Sequence, residues 1–228
     1  MKSKAVLPAE LIAGHLIVRL GESRLLLDTG SPVSISAREI VIGGHRVGTA
    51  AVHSGASVAD LRQLAGVEFD ALIGMDVLSR FDVGFKLRRG LVKLREPVLP
   101  RSSERAVPVE IVDSVPIVTV SIDGLPRRLF FDTGAPVSYL VDASRAHRPS
   151  VGRVTDFYPG FGAFESDQYE MRVDLADHVR ALRFGRLPAP LESGIRVHGV
   201  DGILGTEVLT LADVTLSTSA RELRIRWC

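Results

Sequence analysis

Two ten-residue stretches hold the side chains best placed to do chemistry. "LLLDTGSPVS" (25–34) and "LFFDTGAPVS" (129–138) each run three apolar residues into Asp-Thr-Gly, then into a turn built on Ser or Ala and Pro. One Asp-Thr-Gly alone reads as a strand-ending turn, because Asp and Gly are favoured turn residues. Two copies in matching contexts read differently. A carboxylate at the end of a buried strand is costly unless its surroundings accommodate it. A fold that places one in each of two equivalent halves can bring Asp28 and Asp132 together on a pseudo-twofold axis. Two carboxyls at close range cannot both ionise, so they share one proton. The charged member can then act as a base on water, and the protonated member can polarise a carbonyl oxygen.

The elements that must position these groups also repeat. "LIVRLGESRLLLDTGSPVSIS" (16–36) lies over "VTVSIDGLPRRLFFDTGAPVSYL" (118–140), each an alternating strand, a Gly-containing turn and an apolar strand into the motif. Downstream, "ALIGMDVLSRFDVGF" (71–85) lies over "GILGTEVLTLADVTL" (202–216), with Gly74 matching Gly205 and Asp82 matching Asp213. "RRGLVKLRE" and "SARELRIRW" close the two halves as strands whose alternating basic residues read as a solvated outer face. Pro, Ser and charge mark 97–107 as a linker between an N-terminal half (1–96) and a C-terminal half (108–228). Pro and Gly total 33 of 228 residues, and the helical pieces ("VADLRQL", "MDVLSRF", "VDASRA", "TEVLTLA") are short. The class is therefore all-β with a few short helices.

Competing chemistries find little footing. The net charge of +1 supplies no field to recruit nucleic acid or an acidic membrane. No stretch reaches the roughly 18 apolar residues of a spanning helix. The start, "MKSKAVLPAELIAGHLIVRL", is broken by Glu10 and His15 and reads as no signal peptide, which favours the cytoplasm, with the periplasm as the alternative. The six histidines, His15 among them, form no HExxH or Cys/His cluster and read as surface residues, so neither metal nor cofactor is expected. There is no GxSxG, no phosphate-cradling glycine loop and no cysteine except Cys228.

Both halves resemble the aspartic protease family of the pepsin and retropepsin type, on Asp28-Thr29-Gly30-Ser31 with Leu72-Ile73-Gly74 and on Asp132-Thr133-Gly134-Ala135 with Ile203-Leu204-Gly205. The resemblance implies a pseudo-twofold bilobal barrel fold and an endopeptidase acting on peptide or protein. Asp28 and Asp132 would be its catalytic pair. Thr29 and Thr133 would hydrogen-bond across the axis to the opposite loop. Gly30 and Gly134 would admit backbone N–H groups to the carboxylates, and Gly74 and Gly205 would let a strand pass close to each active loop. With both motifs in one chain, dimerisation is not required. In pepsin-like sites a hydroxyl after the motif donates to the carboxylate's outer oxygen. Only Ser31 could do so here, since Ala135 has none, and Asp28 would then be the more readily ionised member.

The halves differ in the middle. Asp28 to Gly74 spans 46 residues and Asp132 to Gly205 spans 73, so the second half has 27 more. Five of the 13 aromatic residues fall in 157–169. The family's substrate-covering hairpin is thus expected from 151–173 of the second half, with none or a short one in the first. Its turn lies at Pro159-Gly160, Tyr158 and Phe161 would touch substrate, and Tyr169 would pack at the base. Two other readings use the same residues. A non-catalytic peptide-binding or assembly module would not need both aspartates. A glycosidase would need its carboxyls farther apart, which paired Asp-Thr-Gly loops disfavour.

Overall fold

A computed structural model describes residues 3–48, 52–53, 55–97, 106–141 and 148–227. Most of the linker, and the expected short helix in "VDASRA", lie outside the described residues. Of those described, 55% are strand and 14% helix, so the protein is mostly β with a few short helices. No helix among them is long and apolar enough to cross a membrane.

In the first half, β1 (Ser3–Ile12), β2 (His15–Leu20) and β3 (Ser23–Leu27) form an antiparallel meander. Its Ala13-Gly14 and Gly21 turns use positive φ, which glycine supplies without steric cost. Next come β4 (Ile35–Ser36), two small hairpins from β5 (Ile40–Ile42), β6 (His45–Val47), β7 (Val52–His53) and β8 (Ala56–Ser57), and α1 (Val58–Ala65). Ser57 and Asp60 cap α1 reciprocally, and Gly66 ends it in the left-handed conformation. Then β9 (Ala71–Ile73), α2 (Met75–Leu78), β10 (Asp82–Lys86) and β11 (Leu91–Arg95) complete the half.

The second half repeats this plan. It has β12 (Ala106–Val112), β13 (Val115–Ile122), β14 (Leu125–Phe131), β15 (Ser138–Leu140), β19 (Gly202–Leu204), α4 (Glu207–Leu211), β20 (Ala212–Ser217) and β21 (Glu222–Trp227). Between β15 and β19 it inserts the long β16 (Gly152–Tyr158), β17 (Gly162–Leu175) and β18 (His178–Gly185), and α3 (Ala189–Arg196).

The halves meet in a six-stranded antiparallel sheet ordered β1-β11-β10-β20-β21-β12. At its centre β10 pairs with β20, and Gly84 lies opposite Thr215. These two are also equivalent in the repeat, so the pseudo-twofold axis passes between them. Val83, Phe85, Val214 and Leu216 from these strands are fully or almost fully buried in one core shared by both halves. Two smaller apolar clusters lie to the sides, one per half, around Leu26 and Leu72 and around Tyr139 and Ile203.

Candidate active site

Each Asp-Thr-Gly follows the buried end of a strand, after Leu27 and Phe131, both 0% exposed. β3 pairs in parallel with β9, and β14 with β19, at matching register: Leu27 opposite Ile73 and Phe131 opposite Leu204. The next backbone N–H groups, those of Asp28 and Asp132, donate to the carbonyls of Ile73 and Leu204, at 3.0 Å in both cases. The carboxylates are thus set one residue beyond two equivalent ladders.

Two threonines lock the loops together. The Thr29 N–H donates to Thr133 Oγ1 at 3.1 Å, and the Thr133 N–H to Thr29 Oγ1 at 3.0 Å. The Thr29 hydroxyl donates to the Phe131 carbonyl (2.6 Å), and the Thr133 hydroxyl to that of Leu27 (2.8 Å). Both threonines are buried, at 0% and 1% exposure, so no water competes for these four bonds.

The glycines serve two purposes. Asp28 Oδ1 accepts from the N–H groups of Gly30 and Ser31, both at 2.9 Å. Asp132 Oδ1 accepts from Gly134 (2.8 Å) and Ala135 (3.2 Å). Each glycine also lies against the opposite carboxylate. A Cβ on Gly30 would come within 2.3 Å of Asp132 Cγ, and one on Gly134 within 2.4 Å of Asp28 Cγ. Gly74 and Gly205 hold the downstream turns close to the loops: a Cβ there would lie 2.5 Å from the Val33 carbonyl oxygen and 2.7 Å from those of Ala135 and Val137. Their N–H groups donate to the hydroxyls of Ser34 (2.9 Å) and Ser138 (3.0 Å).

Asp28 and Asp132 are set side by side, each against the other loop's glycine, so that their carboxyls interact directly. Burial pushes Asp28 well above the ordinary carboxylate range, and repulsion from Asp132 adds to it. Burial also raises Asp132, but the N–H groups of Gly134, Ala135 and Gly30 and the adjacent Asp28 carboxyl oppose the rise. Both carboxyls are thus held above their ordinary range, as two buried acids that share one proton. The Ser31 hydroxyl does not reach the outer oxygen of Asp28; it donates to the Val33 carbonyl at 2.7 Å within its own turn. Ser31 supports Asp28 through its backbone alone, as Ala135 supports Asp132.

The cleft above the pair is lined by both carboxylates, Leu26, Ile35, Leu61 and Leu72 of the first half, and Tyr139, Leu187 and Ile203 of the second. It is closed by the hairpin of β16 and β17, registered from Gly152 opposite Gln168 to Tyr158 opposite Gly162. Asp156, Phe157, Tyr158, Pro159 and Phe164 of this hairpin all line the cleft. Partial burial raises the Tyr158 phenol above its ordinary value, and the charges on Asp132 and Asp28 raise it further. Among the described residues, 37–57 of the first half contribute nothing to the lining.

Two of the three residues expected to bind substrate do not line the cleft. Phe161 lies in the turn beyond the last register pair, 42% exposed, with its ring edge-on to Phe164 at 6.1 Å. Gly160, at φ +79°, makes the turn and nothing more. Phe157 and Phe164, farther down the arms, take the place given to Phe161. Tyr169 packs against the main core at the hairpin's base, as expected.

His15 is 4% exposed and lines the cleft, contrary to its reading as a surface residue. Its Nδ1 lies 3.0 Å from the Gly134 carbonyl, which can only accept, so Nδ1 carries the proton. Burial lowers its pKa, which favours the neutral ring. Asp156, 8% exposed, accepts from the Tyr139 hydroxyl (2.5 Å) and the Phe157 N–H (2.8 Å), and burial raises its pKa. Neither residue has a sequence signal: His15 is 119 positions from its partner, and Asp156 stands in no motif. Compared with known proteins, the chain matches no family model and no curated protein.

Proposed function

We propose that the chain is an aspartic endopeptidase, built as two retropepsin-like halves on a bilobal acid-protease barrel plan. The observation that carries this reading is the juxtaposition of Asp28 and Asp132, two carboxyls from equivalent loops, each against the other loop's glycine, at the floor of one cleft. A water between them would lose a proton to the charged carboxyl while its oxygen attacks the scissile carbonyl carbon. The protonated carboxyl would give its proton to the carbonyl oxygen, leaving a neutral tetrahedral diol. On collapse, the carboxyl that took the water's proton returns it to the leaving nitrogen, the C–N bond breaks, and a diol hydroxyl restores the proton on the other carboxyl. The apolar walls and the hairpin would exclude bulk water, which strengthens these electrostatic interactions.

The preparation to assay is the purified chain beside its D28N and D132N variants, incubated with a mixed peptide library across acidic to neutral pH, with products read by mass spectrometry. Cleavage by the parent and by neither variant is the expected result. Peptide binding without cleavage by the parent, unaffected by either substitution, would replace the enzyme with a binding module.

A further inference from the structure

On the outer face of the central sheet, opposite the buried side of β10 and β20, lies a second depression of about 270 Å³. Its floor is the Gly84–Thr215 pair on the pseudo-twofold axis. Lys86, Arg89, Lys93, Arg95, Arg224 and Arg226 surround it, with Asp82. The alternating basic residues of β11 and β21 are therefore not a plain solvated face. Register sets Lys93 opposite Gly84, Gly84 opposite Thr215, and Thr215 opposite Arg224, so one row across four strands carries a cation at each end and small residues between. Arg95 and Arg226 are likewise equivalent in the two halves, opposite Asp82 and Asp213.

Among the described residues, cations outnumber carboxylates on this face. Asp213 holds Lys86 (3.4 Å) and Arg226 (2.5 Å), and Glu222 holds Arg224 (3.1 Å). With Asp82, three carboxylates among the described residues stand against the six cations. Arg89, Lys93 and Arg95 have no ion pair with a described residue. Arg95 Nε and Arg224 Nη2 are buried and have no acceptor among the described residues, and a buried unmet donor costs about 1–3 kcal/mol. Glycine is also a poor choice inside a strand. Yet Gly84 needs no special backbone, and a Cβ there would meet its nearest neighbours at 3.7 Å, an ordinary contact. Neither backbone conformation nor packing accounts for the missing side chain, whereas an open floor between converging cations would.

We propose that this depression is a binding site for a phosphate-class oxyanion of at least two charges, separate from the carboxylate cleft. Guanidinium groups bind such oxyanions through paired N–H bonds. The near-symmetric placement of Lys93 with Arg224 and Arg95 with Arg226 suits an anion with two equivalent ends, so the probe is inorganic pyrophosphate.

Titration calorimetry and thermal melts of the full chain with pyrophosphate, at fixed ionic strength set with chloride, test the site. The intact chain is expected to bind one pyrophosphate saturably and to melt higher with it. K93Q/R95Q removes two cations that pair with no described residue, and Gly84→Val fills the floor with a residue strands prefer. Each is expected to weaken binding by about tenfold or more while melting near the parent without ligand. A parallel arm sediments the proteins with phosphatidylcholine vesicles, with or without phosphatidic acid. Variant-sensitive binding in solution alone identifies a free anion, and variant-sensitive sedimentation with phosphatidic acid identifies a lipid headgroup. The proposal is overturned if neither arm gives saturable binding, or if binding survives both substitutions.

Discussion

Gly30 of the first loop rests against the carboxylate of Asp132 in the second, so near that a Cβ on it would lie 2.3 Å from Cγ and 2.3 Å from Oδ2. Gly134 stands in the same relation to Asp28. Each loop's glycine thus makes room for the other loop's acid, and neither half can form its site alone. Gly30→Ala must push Asp132 aside or part the loops. A misplacement of about 1 Å can cost a reaction about a hundredfold. Gly30→Ala and Gly134→Ala should each lower kcat/KM by about two orders of magnitude or more, with the far-UV spectrum unchanged. Near-parental cleavage by either variant would show that the two loops do not act as one unit.

The exchanged threonine bonds make the loop junction a stability element as well. Thr29→Val removes the hydroxyl and leaves the Thr133 N–H and the Phe131 carbonyl buried without those partners. At about 1–3 kcal/mol for each unmet group, the expected loss is about 2–4 kcal/mol in urea unfolding. Thr29→Ser keeps the hydroxyl and should recover most of it. Equal losses in the two variants would contradict this, since only the valine variant lacks the hydroxyl that makes the hydrogen bonds.

Both aspartates have raised pKa values, which fixes the sign of a pH effect on stability. As pH rises past about 3.9 the unfolded chain releases these protons, while the folded pair holds its own to higher pH. Stability from the pair is thus greatest below that point and is lost as pH rises through the folded values. D28N removes the burial penalty, and its side chain still offers an oxygen to the Gly30 and Ser31 N–H groups. It should melt higher than the parent at neutral pH, by about 2–4 °C for each kcal/mol relieved, and the gain should vanish near pH 4. A D28N protein that melts lower than the parent at neutral pH would contradict the raised pKa.

Features that depend on local pattern were legible in the sequence. The strands entering Asp28 and Asp132, the repeat, and the short helices at Val58–Ala65, Met75–Leu78 and Glu207–Leu211 follow from periodicity and turn residues. The helix Ala189–Arg196 is not among the pieces that read as helical; it holds Pro190 and Gly194 and follows Pro188, although proline is tolerated in a first helical turn. What escaped was set by long-range register. His15 enters the cleft because the β1–β2 turn docks on the second half, where Thr206 Oγ1 donates to the Gly14 carbonyl at 2.7 Å. The cations of β11 and β21 face one depression only because β10 pairs with β20 across the halves. The Ser31 hydroxyl was misjudged for a local reason: its own turn offers the Val33 carbonyl two residues on.

The hairpin over the cleft yields the most discriminating comparison, between two phenylalanines four residues apart. Phe157 packs against the first half's side cluster and lies 5.9 Å from the His15 ring, so it ties an arm of the second half to the opposite wall of the cleft. Phe161 touches only its own hairpin among the ring contacts, through Phe164. If the hairpin covers substrate and must close against the first half, Phe157→Ala should raise KM and lower kcat/KM by about tenfold or more, because an arm that has lost its anchor spends less time closed. Phe161→Ala should stay within about twofold of the parent, since an exposed turn residue contributes little. Replacing 157–166 with a short Gly-Ser turn should leave a folded chain, because β17 continues below the cut into its pairing with β18 from Tyr169 onward. That variant should lose activity by orders of magnitude. Steady-state kinetics on one peptide orders the three proteins. A Phe161→Ala defect larger than that of Phe157→Ala would mean that the tip, and not the anchored arm, meets the substrate.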